Sequence, residues 1–243
     1  MLILSTRLDY SLFSAGVTLP TDYAYWKFDE TTGSVFADSS GNGNTGSEVG
    51  TLTMGATAVA TDGGNAVAGF TTDTNYITVP HSSSIDIVGE FAVSFWIKST
   101  ESSIDATVYD KRHTSSPGQG ITFGIQNGSG TPNKLSFNIK DTSATTTHLD
   151  SATTVNDGSA HLVIVNVTTS TFTIYVDDMD TADASTPTTC NLANISNSID
   201  AAIGNSNRVS SWDGFENGTI DNLRFFDTPL TQAQRNYILD NGL

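Results

Sequence analysis

Short runs in which apolar and polar residues alternate recur along most of the chain, and turn-forming residues separate them. The first such run is 23–28 (YAYWKF), and the dense turn 38–46 (DSSGNGNTG) follows it. Alternation with a period of two is typical of strands with one buried face, and a series of short strands is typical of a sandwich or barrel. The other predicted strands are 76–80, 91–98, 121–125, 135–139, 161–167, 172–176, 201–204 and 218–226.

One helix is signalled at the C-terminal end. Thr231 and Gln234 have the spacing of a capping box, in which each side chain accepts a backbone N–H that the first helical turn leaves unpaired. Gly242 stands where a left-handed residue commonly ends a helix. The sequence therefore predicts one helix of about ten residues between these signals.

Residues 1–22 lack the alternating pattern and mix apolar with polar residues up to Pro20. We interpret them as an arm or an extra edge segment that docks onto the domain or onto a neighbouring subunit. The apolar residues at the start are interrupted by Ser5, Arg7 and Asp9 with no basic region before them, so no signal peptide is recognised. The rest of the chain shows no repeat or linker, which predicts one domain over 23–243.

Charge and cysteine content narrow the classes of partner. The chain has 10 Lys and Arg against 26 Asp and Glu, a formal net charge of −16. A nucleic-acid partner requires a basic surface, so we expect none, and no apolar stretch is long enough for membrane insertion. Cys190 is the only cysteine, which excludes an internal disulfide, and we expect it to be a small buried residue.

An ordered set of segments resembles one family. The segments are 25–30 (YWKFDE), 35–46 (VFADSSGNGNTG), 76–80 (YITVP), 91–98 (FAVSFWIK), 172–177 (FTIYVD), 218–224 (GTIDNLR) and 229–234 (PLTQAQ). In this order they resemble laminin G-like jelly-roll domains of the concanavalin A-like lectin/glucanase superfamily. The resemblance covers roughly residues 23–242.

The resemblance implies an all-β, two-sheet antiparallel jelly-roll sandwich with a short C-terminal helix. Core positions would then be Trp26, Phe28, Phe95, Ile97, Val163, Val165, Ile174 and Val176. Trp96 would face the other way, either as outer-face core or as part of a binding face.

Two positions depart from the family pattern. The family usually has a tryptophan at the start of the strand after 157–158, where this chain has Ser159, Ala160 and His161. It usually turns with Asp-Gly after the Tyr-Val pair, where this chain has Asp177 and Asp178. Both departures weaken the prediction of a binding site from the family more than they weaken the prediction of the fold.

Catalytic signatures are missing from the sequence, so we do not expect an enzyme. Glucanases of the superfamily carry paired carboxylates on one strand, whereas the five glutamates of this chain are isolated from one another. Asp177, Asp178 and Asp180 follow a strand directly, where exposed carboxylates cap turns. Neither a Gly-x-Ser-x-Gly elbow nor a phosphate-binding loop occurs.

A structural calcium ion is the one candidate cofactor. Asp38, Asn42 and Asn44 alternate within a glycine-rich loop whose oxygens could surround a hard cation. The resemblance implies a calcium that ties the N- and C-terminal segments together, with Asp221 on the closing strand as the further ligand. The alternative is that these side chains only form Asx turns.

Two predicted loops carry the candidate glycan-binding residues. Tyr109 and Arg112 lie in 109–113, and Arg208 and Trp212 lie in or after 205–208. Aromatic planes next to a few planar polar groups are typical of sugar sites. The alternative is that Trp212 covers the edge of the sandwich and that the arginines are solvated.

Two functional hypotheses of different classes stay open. The first is a non-catalytic surface or adhesion module of a phage virion (a decoration, tail or fibre component), at the virion surface, within an oligomeric assembly and next to other virion or surface proteins. The second is a free or appended extracellular lectin domain that binds cell-surface glycans. A polysaccharide-active enzyme is a third, weaker alternative.

Overall fold

The computed structural model describes residues 16–70, 74–100, 106–125, 133–206 and 214–243. Its strands are β1 (Asp22–Trp26), β2 (Val35–Phe36), β3 (Gly46–Val49), β4 (Thr53–Thr57), β5 (Asn65–Ala68), β6 (Tyr76–Val79), β7 (Phe91–Ser99), β8 (Ala106–Arg112), β9 (Gly120–Ile125), β10 (Lys134–Lys140), β11 (Thr146–Thr154), β12 (Ala160–Val167), β13 (Thr171–Val176), β14 (Ala184–Pro187), β15 (Ala201–Ile203) and β16 (Gly218–Phe226). The helix α1 is Gln232–Asn241. Each predicted strand coincides with an observed strand to within two residues at either end.

The strands form two antiparallel sheets. The first has the order β14-β13-β12-β7-β16-β5-β4, and β1 also pairs with β16. The second has the order β11-β10-β9-β8-β15-β6-β3-β2. Half of the neighbouring strand pairs are distant in sequence, and β16 at the end of the chain is the hydrogen-bonded partner of β1, β5 and β7. The predicted two-sheet antiparallel sandwich is therefore confirmed.

The main core lies between the sheets and receives the inward side chains of both. A stack of aromatic rings runs through it, with ring centroids of Phe95 and Phe123 5.1 Å apart and those of Phe123 and Phe137 4.8 Å apart. All eight predicted core residues are buried in this cluster: Trp26, Phe28, Phe95, Ile97, Val163, Val165, Ile174 and Val176.

The outer face of the first sheet is also apolar, and α1 covers it. Trp96, Leu162 and Ile164 point outward into a second cluster that includes Leu230 and Ile238. Trp96 is thus an outer-face core residue, the first of its two predicted alternatives. This sheet is therefore apolar on both sides.

The helix begins and ends as the sequence predicts. Thr231 and Gln234 form the capping box, and Gly242 has a left-handed conformation with φ 65°. Arg235 of α1 is buried, donates to the carbonyl oxygens of Met179 and Leu230, and lies 3.8 Å from the ring centroid of Tyr175. None of the helices in the described part of the chain combines the length and the apolar character of a membrane span.

Residues 16–22 contact the sandwich. Leu19 packs against the second cluster, and the carbonyl oxygen of Thr18 accepts a hydrogen bond from Gln234 Nε2. Most of the predicted N-terminal arm, 1–15, lies outside the described residues, so the division into an arm (1–22) and a domain (23–243) stays a prediction. Cys190 is buried in the main core, as expected.

Candidate functional site

The outer face of the second sheet carries polar side chains on four neighbouring strands. Strand pairing aligns them in three transverse rows that cross β8, β9, β10 and β11. We call the following residues the polar face: Thr107, Asp110, Arg112, Thr122, Ser136, Asn138, Lys140, His148 and Asp150. The apolar residues between them, such as Phe123 and Phe137, point into the main core. Alternation therefore gives this sheet one apolar and one polar side.

The deep part of the polar face lies on β8 and β9. Asp110 is fully buried. Arg112 donates two hydrogen bonds to its carboxylate, from Nε to Oδ1 at 3.0 Å and from Nη2 to Oδ2 at 3.1 Å. Ser206 Oγ donates to Asp110 Oδ2 at 2.7 Å. A two-pronged ion pair of this kind fixes both side chains, which is what allows two charges to be buried.

The accessible part of the polar face lies on β10 and β11. His148 stands between two polar partners, with Nδ1 2.8 Å from Asn138 Oδ1 and Nε2 3.2 Å from Asp150 Oδ1. The side chains of His148 and Asp150 are 33% and 18% exposed. Planar hydrogen-bonding groups are thus presented to solvent beside a buried charged pair, which is the combination expected of a site for a polyhydroxylated ligand.

Tyr109 does not belong to the polar face, and its prediction as an exposed sugar-stacking ring is wrong. It lies on β8 rather than in a loop, is 1% exposed and points into the main core. Its ring centroid is 5.3 Å from that of Phe123 and 4.8 Å from that of Phe225. Burial raises the pKa of its hydroxyl.

The other predicted glycan-binding residues divide into two groups. Arg112 does lie on the polar face, although it is bound to Asp110 rather than solvated. Arg208 and Trp212 fall in 207–213, outside the described residues. The described ends of that segment are close to β8, because Ser206 bonds Asp110 and Gly214 pairs with Thr107. The described residues on either side of that segment therefore contact β8, one near its end and one near its start.

The predicted calcium loop is held together by its own hydrogen bonds. Asp38 accepts from the backbone N–H of Tyr25, Ser40 and Asn44 and from the Ser40 hydroxyl. Burial raises the pKa of Asp38, but these hydrogen bonds outweigh it and leave the pKa below its usual value. Asn42 and Asn44 both donate side-chain N–H groups to the carbonyl oxygen of Tyr23. An ion bound here would have to replace several of these bonds, which favours the Asx-turn interpretation.

Asp221 lies elsewhere, on β16 beside the loop that follows β4. Its Oδ2 accepts from the backbone N–H groups of Val59 and Ala60, both at 3.0 Å, and its Oδ1 has no hydrogen-bond partner in the structure as described. Burial raises the pKa of Asp221 to about 6, and the carboxylates of Asp62 and Asp29 add to the rise.

The four predicted calcium ligands thus form two separate groups, and calcium binding stays a prediction. Within the described ranges, no three His, Cys, Asp or Glu side chains are grouped so that they could hold a metal ion. Asp221 fits a cation better than the Asp38 loop does, since one of its buried oxygens is unpaired. Carbonyl oxygens would have to supply most of the other ligands there.

Several polar-face residues were not anticipated, namely Asp110, Thr122, Ser136, Asn138, His148 and Asp150. The signal for three of them was present, because Thr122 is a polar position of the predicted strand 121–125, and Ser136 and Asn138 are the polar positions of the predicted strand 135–139. The sequence of β11 (TTHLDSATT) contains one large apolar residue and gave no strand signal.

The comparisons with known proteins agree with this architecture. A family model described as the concanavalin A-like lectin/glucanases superfamily matches residues 70–234. No curated protein matches the chain.

Among solved structures, the binding domain of Paraclostridial Mosquitocidal Protein 1 is 14% identical, with a TM-score of 0.66 over 91% of this chain and 52% of that one. The botulinum neurotoxin serotype G binding domain is 14% identical, with a TM-score of 0.67 over 90% of this chain and 51% of that one. The chain thus spans about half the length of these toxin domains.

Domain 4 of AbnA, a GH43 extracellular arabinanase from Geobacillus stearothermophilus, was solved in complex with arabinotriose. It is 16% identical, with a TM-score of 0.64 over 93% of this chain and 100% of that one. At these identities the likeness concerns the fold.

Proposed function

The chain belongs to the concanavalin A-like lectin/glucanase superfamily, and on that premise we propose that it is a non-catalytic carbohydrate-binding module whose ligand lies on the polar face. The observation that carries the proposal is the contrast between the two sheets. The outer face of the first sheet is apolar and closed by α1, whereas the outer face of the second is polar over four strands. A β-sandwich can fold without a buried ion pair on its outer side, so we assign the pair Asp110–Arg112 to ligand recognition.

The expected ligand is an uncharged glycan. The guanidinium of Arg112 is neutralised by the carboxylate of Asp110, and the imidazole of His148 faces the carboxylate of Asp150. The formal charge of −16 repels anionic ligands over a longer range. Both effects disfavour sialylated, sulfated or uronic-acid glycans.

The accessible part of the polar face is narrow. Asn138, His148 and Asp150 lie on the two neighbouring strands β10 and β11, whereas Asp110 and Thr122 on β8 and β9 are buried. The structurally similar arabinanase domain was crystallised with arabinotriose, which makes that sugar a reasonable first probe.

The geometry of the polar face disfavours glycoside hydrolysis. Its two carboxylates, Asp110 and Asp150, lie on β8 and β11 with two strands between them. That separation is about 14 Å, whereas the catalytic carboxyl pairs of retaining and inverting glycosidases are about 5–5.5 Å and 6.5–9.5 Å apart. Asp110 is also neutralised by Arg112.

The finer assignments from the sequence stay predictions. They are a phage virion component, neighbouring virion or surface proteins as partners, an oligomeric assembly and a location on the virion surface or outside the cell. Deletion of residues 1–15, which spares Leu19 and β1, tests the virion assignment, because a docking arm is expected to be needed for incorporation into a particle and not for the fold. Undiminished incorporation would contradict it.

Binding to neutral oligosaccharides tests the proposed function. We expect titration calorimetry of the intact chain to detect at least one binder among arabinotriose, cellotriose, maltotriose and lacto-N-tetraose, and none among their sialylated or sulfated counterparts. His148→Ala should weaken binding about tenfold, the value of one or two lost hydrogen bonds. The matched control is Thr173→Ala, which removes a polar side chain from the other sheet and should leave binding unchanged. Equal loss in both variants would contradict the proposed location.

A further inference from the structure

One lysine is buried and held against a side-chain amide. All five lysines of the chain belong to the described residues, and only Lys111 on β8 is buried. Its Nζ donates to Asp86 Oδ1 at 3.0 Å, to the backbone oxygen of Asn197 at 2.7 Å and to Asn197 Oδ1 at 3.3 Å. A primary amine is therefore in hydrogen-bond contact with both a side-chain amide and a carboxylate.

Burial favours the neutral form of this amine. Lysine is seldom buried in proteins, because desolvation penalises its charge. Burial lowers the pKa of Lys111, although the carboxylates of Asp86 and Asp200 oppose the shift. A desolvated amine with a lowered pKa is the form in which lysine acts as a nucleophile.

The side chain of Asn197 is held in place beside that nucleophile. Asn197 lies between β14 and β15, and its Oδ1 also accepts from the backbone N–H of Ile199 at 3.2 Å. Its Nδ2 donates to the carbonyl oxygens of Lys111 at 2.9 Å and Gln119 at 3.0 Å. These bonds fix the amide next to Nζ and place a donor at Oδ1, where negative charge would develop if Nζ attacked Cγ.

Asp86 is the group that can move the protons of such a reaction. It follows the short turn after β6, and its carboxylate lies 3.0 Å from Lys111 Nζ and 3.6 Å from His81 Nδ1. The side chain of Asp86 is 29% exposed, whereas that of Lys111 is 5% exposed. A carboxylate in this position can take a proton from the ammonium group and return it to a leaving nitrogen.

We infer that Lys111 and Asn197 react with each other to form an intramolecular isopeptide bond, which links β8 covalently to the segment before β15. Both reacting groups belong to the chain, so no external ligand has to reach this buried position. The cross-link is independent of the proposed carbohydrate site.

The reaction is a transamidation in which every atom is accounted for. Asp86 accepts a proton from the ammonium group of Lys111, and the free Nζ forms a bond to Cγ of Asn197. A proton is delivered to Nδ2, the bond between Cγ and Nδ2 breaks, and Oδ1 regains its double bond to Cγ. The ammonium group and the primary amide thus become a secondary amide and one ammonium ion, and no oxidant or other reactant is consumed.

The position of the cross-link gives it a structural consequence. Lys111 and Asn197 are 86 positions apart in the sequence. A covalent bond that closes so long a loop restricts the unfolded chain, as a disulfide does, and thereby stabilises the fold. The only cysteine of the chain, Cys190, cannot provide such a link within one molecule.

Mass spectrometry of the intact wild-type chain tests the cross-link. The measured mass should be lower than the mass of the sequence by one ammonia molecule. Trypsin should fail to cleave after Lys111 and should release a branched peptide in which 99–112 is joined to 141–208. The branched peptide distinguishes this bond from a loss of ammonia elsewhere in the chain.

Four variants assign the roles. Lys111→Arg and Asn197→Ala each lack one reacting group and should have the full sequence mass. Asp86→Asn keeps both reacting groups and should also lack the branched peptide, because the proton acceptor is missing. The matched control is Lys134→Arg, since Lys134 Nζ bonds only oxygens of the neighbouring β11 in the described structure, and this variant should keep the cross-link.

The wild type decides the outcome, whether or not the variants fold. A wild-type chain of full mass that trypsin cleaves after Lys111 would overturn the cross-link. A branched peptide in Asp86→Asn at the wild-type yield would overturn the role of Asp86 as the proton acceptor.

Discussion

The imidazole of His161 lies against the carboxylate of Asp177, with Nδ1 2.7 Å from Oδ2. Its other nitrogen, Nε2, lies 3.2 Å from Oδ1 of Asp157. Both nitrogens therefore face acceptors, and only the protonated ring can donate to both. The two positions that depart from the family pattern, at the start of β12 and at the end of β13, thus meet in one interaction.

We predict that this interaction makes the protein more stable in acid. The hydrogen bond that His161 donates to the carboxylate of Asp177 is the main cause that raises the pKa of His161 above its usual 6.5, and burial opposes it. Because the folded pKa exceeds the unfolded one, the stabilisation is complete below about pH 6.5 and is lost as the pH rises through the folded pKa. Urea denaturation of wild type and His161→Gln should show the largest difference in the free energy of unfolding on the acid side.

Asp177→Asn and Asp178→Asn provide the controls for His161. The first removes the carboxylate at 2.7 Å and should bring the pKa of His161, followed by NMR, closer to its usual value. The second changes an exposed neighbour that makes no described contact with the ring and should leave the pKa as in the wild type. Equal titration of His161 in all three proteins would refute the prediction.

Asp221 should also make the protein more stable as the pH falls, but the cause is the burial of its carboxyl group rather than an ion pair. Burial raises its pKa from 3.8 to about 6 in the folded state, so the folded protein takes up a proton more readily than the unfolded chain. Stability should therefore rise as the pH falls from above 6 to below 3.8, by at most about 3 kcal/mol. Asp221→Asn should lack this gain when urea denaturation is measured with a chelator present. If Asp221→Asn gains as much stability on acidification as the wild type does, other groups cause the effect.

Calcium should act through Asp221 if the predicted structural ion exists. Millimolar calcium is expected to raise the unfolding temperature of the wild type above that in chelator, because an ion bound only by the folded state stabilises it. Asp221→Asn should lose this response, whereas Asn42→Ala, in the loop whose oxygens are already engaged, should keep it. No response in the wild type would eliminate the structural calcium, and a response lost only in Asn42→Ala would place it in the loop.

The ion pair between Asp110 and Arg112 should be sensitive to the loss of one partner. Arg112→Gln leaves a fully buried carboxylate without its guanidinium and should destabilise the fold by about 3–5 kcal/mol. Replacing both residues, as in Asp110→Asn with Arg112→Gln, should recover most of that loss. Urea denaturation of the two single variants and the double variant gives the coupling energy, and additive losses would show that the pair does not act as a unit.

The sequence predicted those elements whose signals are local. Alternation placed the core residues of β7 and β12, and the Thr231 capping box located α1, because hydrophobic period and capping depend on neighbours a few residues apart. Strand β8 was taken for a loop because Asp110 and Arg112 suggest exposure. Their mutual pairing is what permits them to lie in a buried strand.

The candidate site depends on relationships that no local pattern contains. Asn138, His148 and Asp150 become one surface only through the pairing of β10 with β11, and Asp110 joins them only through β9. The prediction of Tyr109 as a sugar-stacking residue failed for the same reason, since the face on which a ring lies depends on strand register. Arg112 lies on the polar face, but its pairing with Asp110 was not predicted, and its role in binding stays a prediction.

The most direct measurement is a titration of the isotope-labelled intact chain with the strongest neutral oligosaccharide binder, followed by amide chemical shifts. The account predicts the largest shifts at Ser136, Asn138, His148 and Asp150 and none on α1 or the outer strands of the first sheet. Shifts centred on the Asp38 loop, on α1 or on no single surface would contradict a carbohydrate site on the polar face.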